Sequence, residues 1–292
     1  MFALIDNPAS GGRDHAALVA RLKEIIAAQG EEVRVFETQA EGDGERQTRL
    51  ALEAGYNRIV VIGGDGSLSD AVRALAGSDA TLFIAPNGTG NDFARTLGLP
   101  KAPDQAFLAQ LRGEQTQIDC GMLNGRPFVN VAGTGFDVEV LRRTEELKAD
   151  YPGPQAYRRA ILSVLRRYEP MQMEVSVDGG PFERCRATIV EVANGRYIGG
   201  GMKVAPGAQV GDGFFDVVRV CAVPRRAIPL LLPLFIAGAH VHLPIASVSR
   251  ARQVTIRRNG MVVDVDGRLE AMDEARFAVM PGALRIMRPA QR

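Results

Sequence analysis

Three glycine-rich turns hold the residues whose chemistry is easiest to name. They are Asn7–Arg13 (NPASGGR), Gly63–Ser69 (GGDGSLS) and Ala85–Pro100 (APNGTGNDFARTLGLP). Glycine lets backbone N–H groups converge on an anion, and a helix that follows adds the positive end of its dipole. In the first turn Ser10, Gly11 and Gly12 offer such donors. The second turn places an acid, Asp65, where a bare phosphate would be repelled. Its plain structural reading is a cap on a helix that starts at Leu68. The third turn carries the pair Asn91-Asp92, which either forms an Asx turn before the helix DFARTLGL or faces the same ligand. Arg95 either neutralises phosphate or pairs with Asp92. Neither GxGxxG nor GxxxxGK[ST] occurs, which excludes the common dinucleotide and Walker sites.

The elements that must position these turns alternate in type. FALID reads as a short buried strand. DHAALVARLKEIIAAQG follows with Leu18, Leu22, Ile25 and Ile26 on one helical stripe. EEVRVFET, RIVVIGG and TLFIAPNG read as further strands, with GERQTRLALEAGY and LSDAVRALAG as the helices between them. This alternation predicts a parallel α/β sheet whose strand ends bring the three turns to one edge. Near Asp119 the pattern changes to short β-branched runs closed by Gly or Asn turns. Helical insertions interrupt them around Val138–Tyr168 and Arg225–His240. The fold class expected is therefore an α/β nucleotide domain over residues 1–120, plus a β-rich, sandwich-like domain over 121–282. Whether residues 283–292 pack back on the first domain stays open.

The net charge of +1 lacks the strong basic bias of a nucleic-acid binder. Three widely spaced cysteines argue against a disulfide framework and a zinc site. The N-terminal apolar run is too short for a signal peptide, and no uninterrupted apolar run approaches about 18 residues. AIPLLLPLFIAGAHVHL (Ala227–Leu243) comes nearest and reads as a buried amphipathic helix, with lipid contact along one face as the alternative. Together these point to a cytoplasmic protein, with contact to the inner face of a membrane left open.

NPASGG, GGDGS before a helix, and NGTGNDFAR, taken in order, resemble the signature elements of the diacylglycerol kinase catalytic-domain family. That family includes soluble bacterial lipid kinases and the sphingosine and ceramide kinases. GGGMKVAPGAQVGDGFFDV (Gly199–Val217) is similar to its second glycine-rich turn and its P-x-A-x-x-x-D-G segment, so the resemblance spans about residues 4 to 270. GGDG alone is shared with NAD kinases and phosphofructokinases. The other two turns, and the lack of T-x-D-N-D, point away from those enzymes.

The resemblance implies ATP in the cleft between two domains and a lipid hydroxyl as acceptor of the γ-phosphoryl group. It assigns Asn7, Ser10, Gly11, Thr38, Gly63, Gly64, Asp65, Gly66, Ser67, Ser69 and Thr89 to the nucleotide, with Asn91 and Asp92 beside them. It implies Mg²⁺, with Asp65 holding the ion directly or through water, or orienting the acceptor hydroxyl. It also implies a structural Mg²⁺ on Asp212 with the carbonyls of Gln209 and Phe214, against the alternative of a plain β-turn. Catalytic carboxylates are expected at Asp65 and Asp266, with Glu270 as a substitute.

Three departures bear on this. Ser67 stands for the family's Thr and keeps the hydroxyl. In SLSDAV, Ser69 replaces Asn and Asp70 replaces Glu. Arg268 stands in VDVDGRLE where D-G-E is expected, and a guanidinium cannot act as a base at neutral pH. It could neutralise a phosphate, or lie in a solvated hairpin. The competing class is then a catalytically weakened or non-catalytic relative that binds nucleotide or lipid. For the acceptor's pocket and route the candidates are LLLPLFIAGAHV and the Val138–Tyr168 segment, whose Arg142, Arg143, Lys148, Arg158, Arg159, Arg166 and Arg167 face anionic headgroups or simply form a solvated face.

Overall fold

The computed structural model describes residues 1–8, 15–151 and 154–289. The first part alternates strand and helix: β1 (Phe2–Asp6), α1 (His15–Ala27), β2 (Val33–Glu37), α2 (Gly44–Glu53), β3 (Arg58–Gly63), α3 (Asp65–Leu75), β4 (Thr81–Pro86), α4 (Asp92–Thr96) and α5 (Pro103–Leu111). The strands run parallel in the order β2-β1-β3-β4. Three of them are apolar on both faces because helices cover both sides, so Leu4, Val60 and Leu82 are all fully buried. Helix α3 starts at Asp65 rather than Leu68, three residues before its apolar stripe begins, because Gly64 takes an extended conformation and lets the GGDG turn wind directly into the helix.

The second part is β5 (Glu114–Leu123), β6 (Arg126–Phe128), β7 (Val131–Gly135), α6 (Phe136–Leu147), α7 (Pro154–Leu165), β8 (Met171–Val177), β9 (Glu183–Ala193), β10 (Phe215–Cys221), α8 (Ile228–Ala237), β11 (Ala246–Ala251), β12 (Gln253–Val265) and β13 (Arg268–Arg288). It is a β-rich, sandwich-like body, and with the first part it makes the α/β plus β-sandwich fold. Phe128 stacks on Phe215 and meets Phe277 edge to face at its centre. Gly121 is required there, because a Cβ would sit 2.1 Å from the Phe128 ring.

Strand β13, 21 residues long, ties the two parts together. Its first half pairs antiparallel with β12, and its last residues pair parallel with β4 through Arg285–Thr81 and Ile286–Leu82. Leu284 and Ile286 are buried in the same apolar cluster as Ile59 and Leu82. Helix α8 differs from the buried amphipathic helix expected of it. Its sequence, IPLLLPLFIA, is apolar all round, yet Leu230, Leu234 and Ile236 face outward.

Because the chain's last strand completes the first part's core, Ile286→Ala should cost about 2–5 kcal/mol, the range for a buried aliphatic truncation. Urea unfolding checks this. A surface strand lying loosely on the sheet would lose no more than about 0.5 kcal/mol.

Candidate active site

The carboxyl ends of β1, β2, β3 and β4 open onto one cleft of about 1090 Å³, within or above the range of small-molecule sites. Asn7, Thr38, Gly64, Gly66, Ser67 and Thr89 line it, as do Asp70, Gly267 and Arg268 from α3 and the β12–β13 hairpin. Asn7 Nδ2 donates to Ser67 Oγ at 3.1 Å, so the first and second turns touch. The second and third meet backbone to backbone. A Cβ on Gly88 would lie 2.3 Å from the Gly64 Cα, and one on Gly64 would lie 3.0 Å from the Gly88 Cα. Any side chain at either position forces the turns apart. Ser10 and Gly11 lie outside the described residues.

Asp65 opens α3, but its carboxylate serves the neighbouring turn. Oδ1 accepts from the Asp92 N–H at 2.8 Å and the Phe93 N–H at 3.3 Å, capping α4. Gly90 makes room, since a Cβ there would lie 2.7 Å from Asp65 Oδ2. Burial raises the Asp65 pKa, and the amides of Phe93, Asp92 and Asn91 oppose that rise. Asn91 is left-handed and closes its own turn on Gly88: Oδ1 accepts from the Gly88 N–H at 3.0 Å and Nδ2 donates to its carbonyl at 2.7 Å. Asp92 pairs with Arg95 at 2.5 Å and accepts from the Gly200 N–H at 2.8 Å, which fastens the third turn to the Gly199–Gly201 turn of the second part. Burial, with Asp65 nearby, pushes Asp92 up to about 6. Gly63 ends β3 and is buried. Ser69 is fully buried and does not line the cleft.

The remaining expected carboxylates take structural partners. Asp266, in a left-handed turn, accepts from the amides of Val129, Asn130 and Val131 at 2.9, 2.9 and 3.2 Å. Burial, the largest cause, pushes it up to about 6. Glu270 lies outside the cleft lining, against Arg126 at 3.4 Å and Arg73 at 3.7 Å. Arg268 is neither solvated nor free. Its two terminal nitrogens reach the two oxygens of Asp70 at 2.7 and 2.8 Å, and the Asp70 side chain is 5% exposed. The two departures from the family pattern in α3 and β13 therefore meet as one ion pair. Arg73 and Glu270, three and two residues farther on, repeat it with the charges exchanged.

Sequence reasoning missed a second group of acids. Asp137 at the start of α6 faces Glu191 on β9, and Asp264 on β12 lies across the small residue Gly133 from Glu191 in the sheet register. Burial raises all three pKa values, and repulsion from Asp137 adds to the strong rise of Glu191 and Asp264, while the Glu191 hydrogen bond opposes the rise at Asp137. A Cβ on Gly133 would lie 2.1 Å from Glu191 Oε2, so that glycine makes the site possible. The GTGFD run after a strand was the available signal. Asp137 is also the one carboxylate lining an apolar pocket walled by Phe136, Ile161, Met202, Leu231 and Phe235. Helix α6 separates the two cavities: Asp137 and Val140 face the pocket, while Leu141, Glu145 and Lys148 face the cleft.

Among the described residues no group of three or more His, Cys, Asp or Glu side chains is arranged to hold a metal ion. Asp212 accepts from the Phe214 N–H at 3.1 Å and pairs with Arg250, a turn plus an ion pair, so the Gln209–Phe214 segment does not present a free carboxylate to a cation. At the cleft a preformed cage is not needed, because Mg²⁺ is usually held by one or two carboxylates together with substrate phosphates. Asp65 beside the turns fits that pattern.

Residues 1–123 match the family described as diacylglycerol kinase catalytic domain, and residues 130–288 match the YegS C-terminal NAD kinase beta sandwich-like domain. The chain is 33% identical to a diacylglycerol kinase of Mycobacterium tuberculosis, across 98% of this chain and 94% of that one. It is 34% identical to a probable YegS-like lipid kinase of Pseudomonas aeruginosa, across 96% and 91%. A crystal structure of a putative diacylglycerol kinase from Bacillus anthracis has the same fold, with a TM-score of 0.79 at 24% identity over 98% and 97% of the chains. An NAD kinase from Archaeoglobus fulgidus, solved with ATP, is a more distant likeness of fold, with a TM-score of 0.53 at 14% identity over 99% and 94%. The glycine turns packed on one sheet edge and these matches over both parts agree: the chain belongs to the diacylglycerol kinase catalytic-domain family and carries the YegS-type C-terminal domain.

Proposed function

We propose that this protein is an ATP-dependent lipid kinase, transferring the γ-phosphoryl group of ATP to the hydroxyl of a diacylglycerol-like or sphingoid-like lipid. The observation that carries the reading is the contact of Gly64 with Gly88. It brings two amide-rich turns within van der Waals distance at the mouth of a nucleotide-sized cleft. Asn7, Thr38, Gly64, Gly66, Ser67 and Thr89 bind the phosphates and ribose, with Ser10 and Gly11 alongside. Asn91 and Asp92 hold the third turn in place. Asp65 would hold Mg²⁺ brought with the nucleotide, and the ion would neutralise charge on the phosphate oxygens.

The acceptor oxygen attacks the γ-phosphorus while the bond from that phosphorus to the β,γ-bridging oxygen breaks, and ADP leaves with the electron pair. Asp65 takes the hydroxyl proton or orients the hydroxyl. The apolar pocket takes the acyl or alkyl chain, with Asp137 at its acidic wall and α6 placing it beside the cleft. Asp266 holds the hairpin that presents Arg268. Among the described residues no helix is long and apolar enough to cross a membrane, in keeping with a cytoplasmic enzyme that meets its lipid at the membrane's inner face.

Transfer from radiolabelled ATP to diacylglycerol, ceramide and sphingoid base in mixed micelles tests the reading. Labelled lipid is expected, and ATP binding with no labelled lipid would favour the non-catalytic relative. Asp65→Asn should keep nucleotide binding within about threefold and lower turnover by about 10²–10⁴, the range for a lost general base.

Arg268→Glu should not restore a family-like site. It puts two carboxylates together, at a cost between the ~1 kcal/mol of an exposed pair and the ~3–5 kcal/mol of a broken buried one. Combining it with Asp70→Arg should recover most of that loss in urea unfolding. Higher turnover from Arg268→Glu at unchanged stability would show that the native ion pair has no structural weight.

A further inference from the structure

Helix α8 is a surface element without a polar side. Its inner residues Ile228, Leu231, Leu232 and Phe235 line the apolar pocket. Its outer stripe is also apolar: Leu230 is 78% exposed, Ile236 48% and Leu234 38%, with Pro229 and Pro233 beside them. A helix exposed to water on one face ordinarily carries polar residues there. At ten residues it is about 15 Å long, half the thickness of a bilayer core, so it can lie in a membrane interface but cannot cross one.

The charges around it match one partner. Arg225 and Arg226 precede α8, and Arg225 Nη1 donates to the Arg166 carbonyl at 2.6 Å, which brings the end of α7 alongside. Helix α7 and the turn after it present Arg158, Arg159, Arg166 and Arg167 near Leu162, itself 61% exposed. None of these six arginines forms an ion pair among the described residues, although Arg166 and Arg167 line a groove that also holds Glu139, Glu146 and Glu169. On α6, by contrast, Arg142, Arg143 and Lys148 are all matched by Glu139, Glu145 or Glu146. From Val217 to Val263 the chain holds seven arginines and no Asp or Glu.

We propose that the α7–α8 face docks on an anionic bilayer, with the outer stripe of α8 and Leu162 entering the interfacial layer and the six arginines meeting acidic headgroups. Docking seats the apolar pocket directly above the lipid, with α8 as the single wall between them. The docking stands on this surface alone, while the lipid's passage into the pocket rests on the kinase reading.

Co-sedimentation with sucrose-loaded vesicles tests it. Wild type should bind vesicles of phosphatidylcholine with phosphatidylglycerol at least tenfold better than phosphatidylcholine alone, and should be released by salt. Arg225→Gln with Arg226→Gln should weaken anionic-vesicle binding by about fivefold per charge removed. Leu230→Asp with Ile236→Asp should abolish vesicle binding while leaving the melting temperature unchanged. The same variant should still phosphorylate a short-chain acceptor dissolved as monomers, which separates failed docking from a failed kinase reading. Wild type that ignores phosphatidylglycerol, an aspartate variant that sediments like wild type, or a concentration-dependent dimer lost in that variant would each overturn the proposal.

Discussion

The contact between Gly64 and Gly88 is the constraint on which the site depends. Two turns from adjacent parallel strands approach until their α-carbons leave no room for a methyl group. That closeness puts Asp65 within reach of the first amides of α4, and the carboxylate then holds the third turn against the second. The acid among the glycines therefore has a structural task, which is to assemble the turns.

Burial sets the chemistry of the other acids. Asp266 is fastened by three amides and Asp92 by Arg95 and Gly200, and both are pushed up to about 6 because water is excluded around them. Glu191 and Asp264 are raised well above the ordinary carboxylate range by burial and by the nearby Asp137. These acids of the second part lie behind the cleft rather than along it, where the lining carboxylates are Asp70, Glu41 and Glu145.

The Asp70–Arg268 pair changes the meaning of Arg268. Taken alone, the residue looks like the loss of a catalytic acid. Beside Asp70 it is half of a contact between residues 198 positions apart, linking α3 to the strand that joins both parts. Strand β13 runs from this ion pair to the edge of β4, so one element sets both the cleft's far wall and the closure of the first core.

Much of the fold was legible in the sequence. Alternating apolar strands and striped helices, then short β-branched runs, determined the α/β and β-rich parts, because local periodicity follows from which faces must be buried. The glycine turns were legible as well, because three of them fall after successive strands that a parallel sheet brings to one edge. Which side chains meet was not. Asp65 capping α4, Arg268 reaching Asp70, and the Asp137–Glu191–Asp264 group are contacts between segments far apart in the chain. Residue types signal the charge, but only the tertiary arrangement decides the partner. What covers α8 was left open by the sequence for the same reason. An apolar run says that water is to be avoided, and whether the protein's own core or some other surface does the covering depends on where the rest of the chain lies.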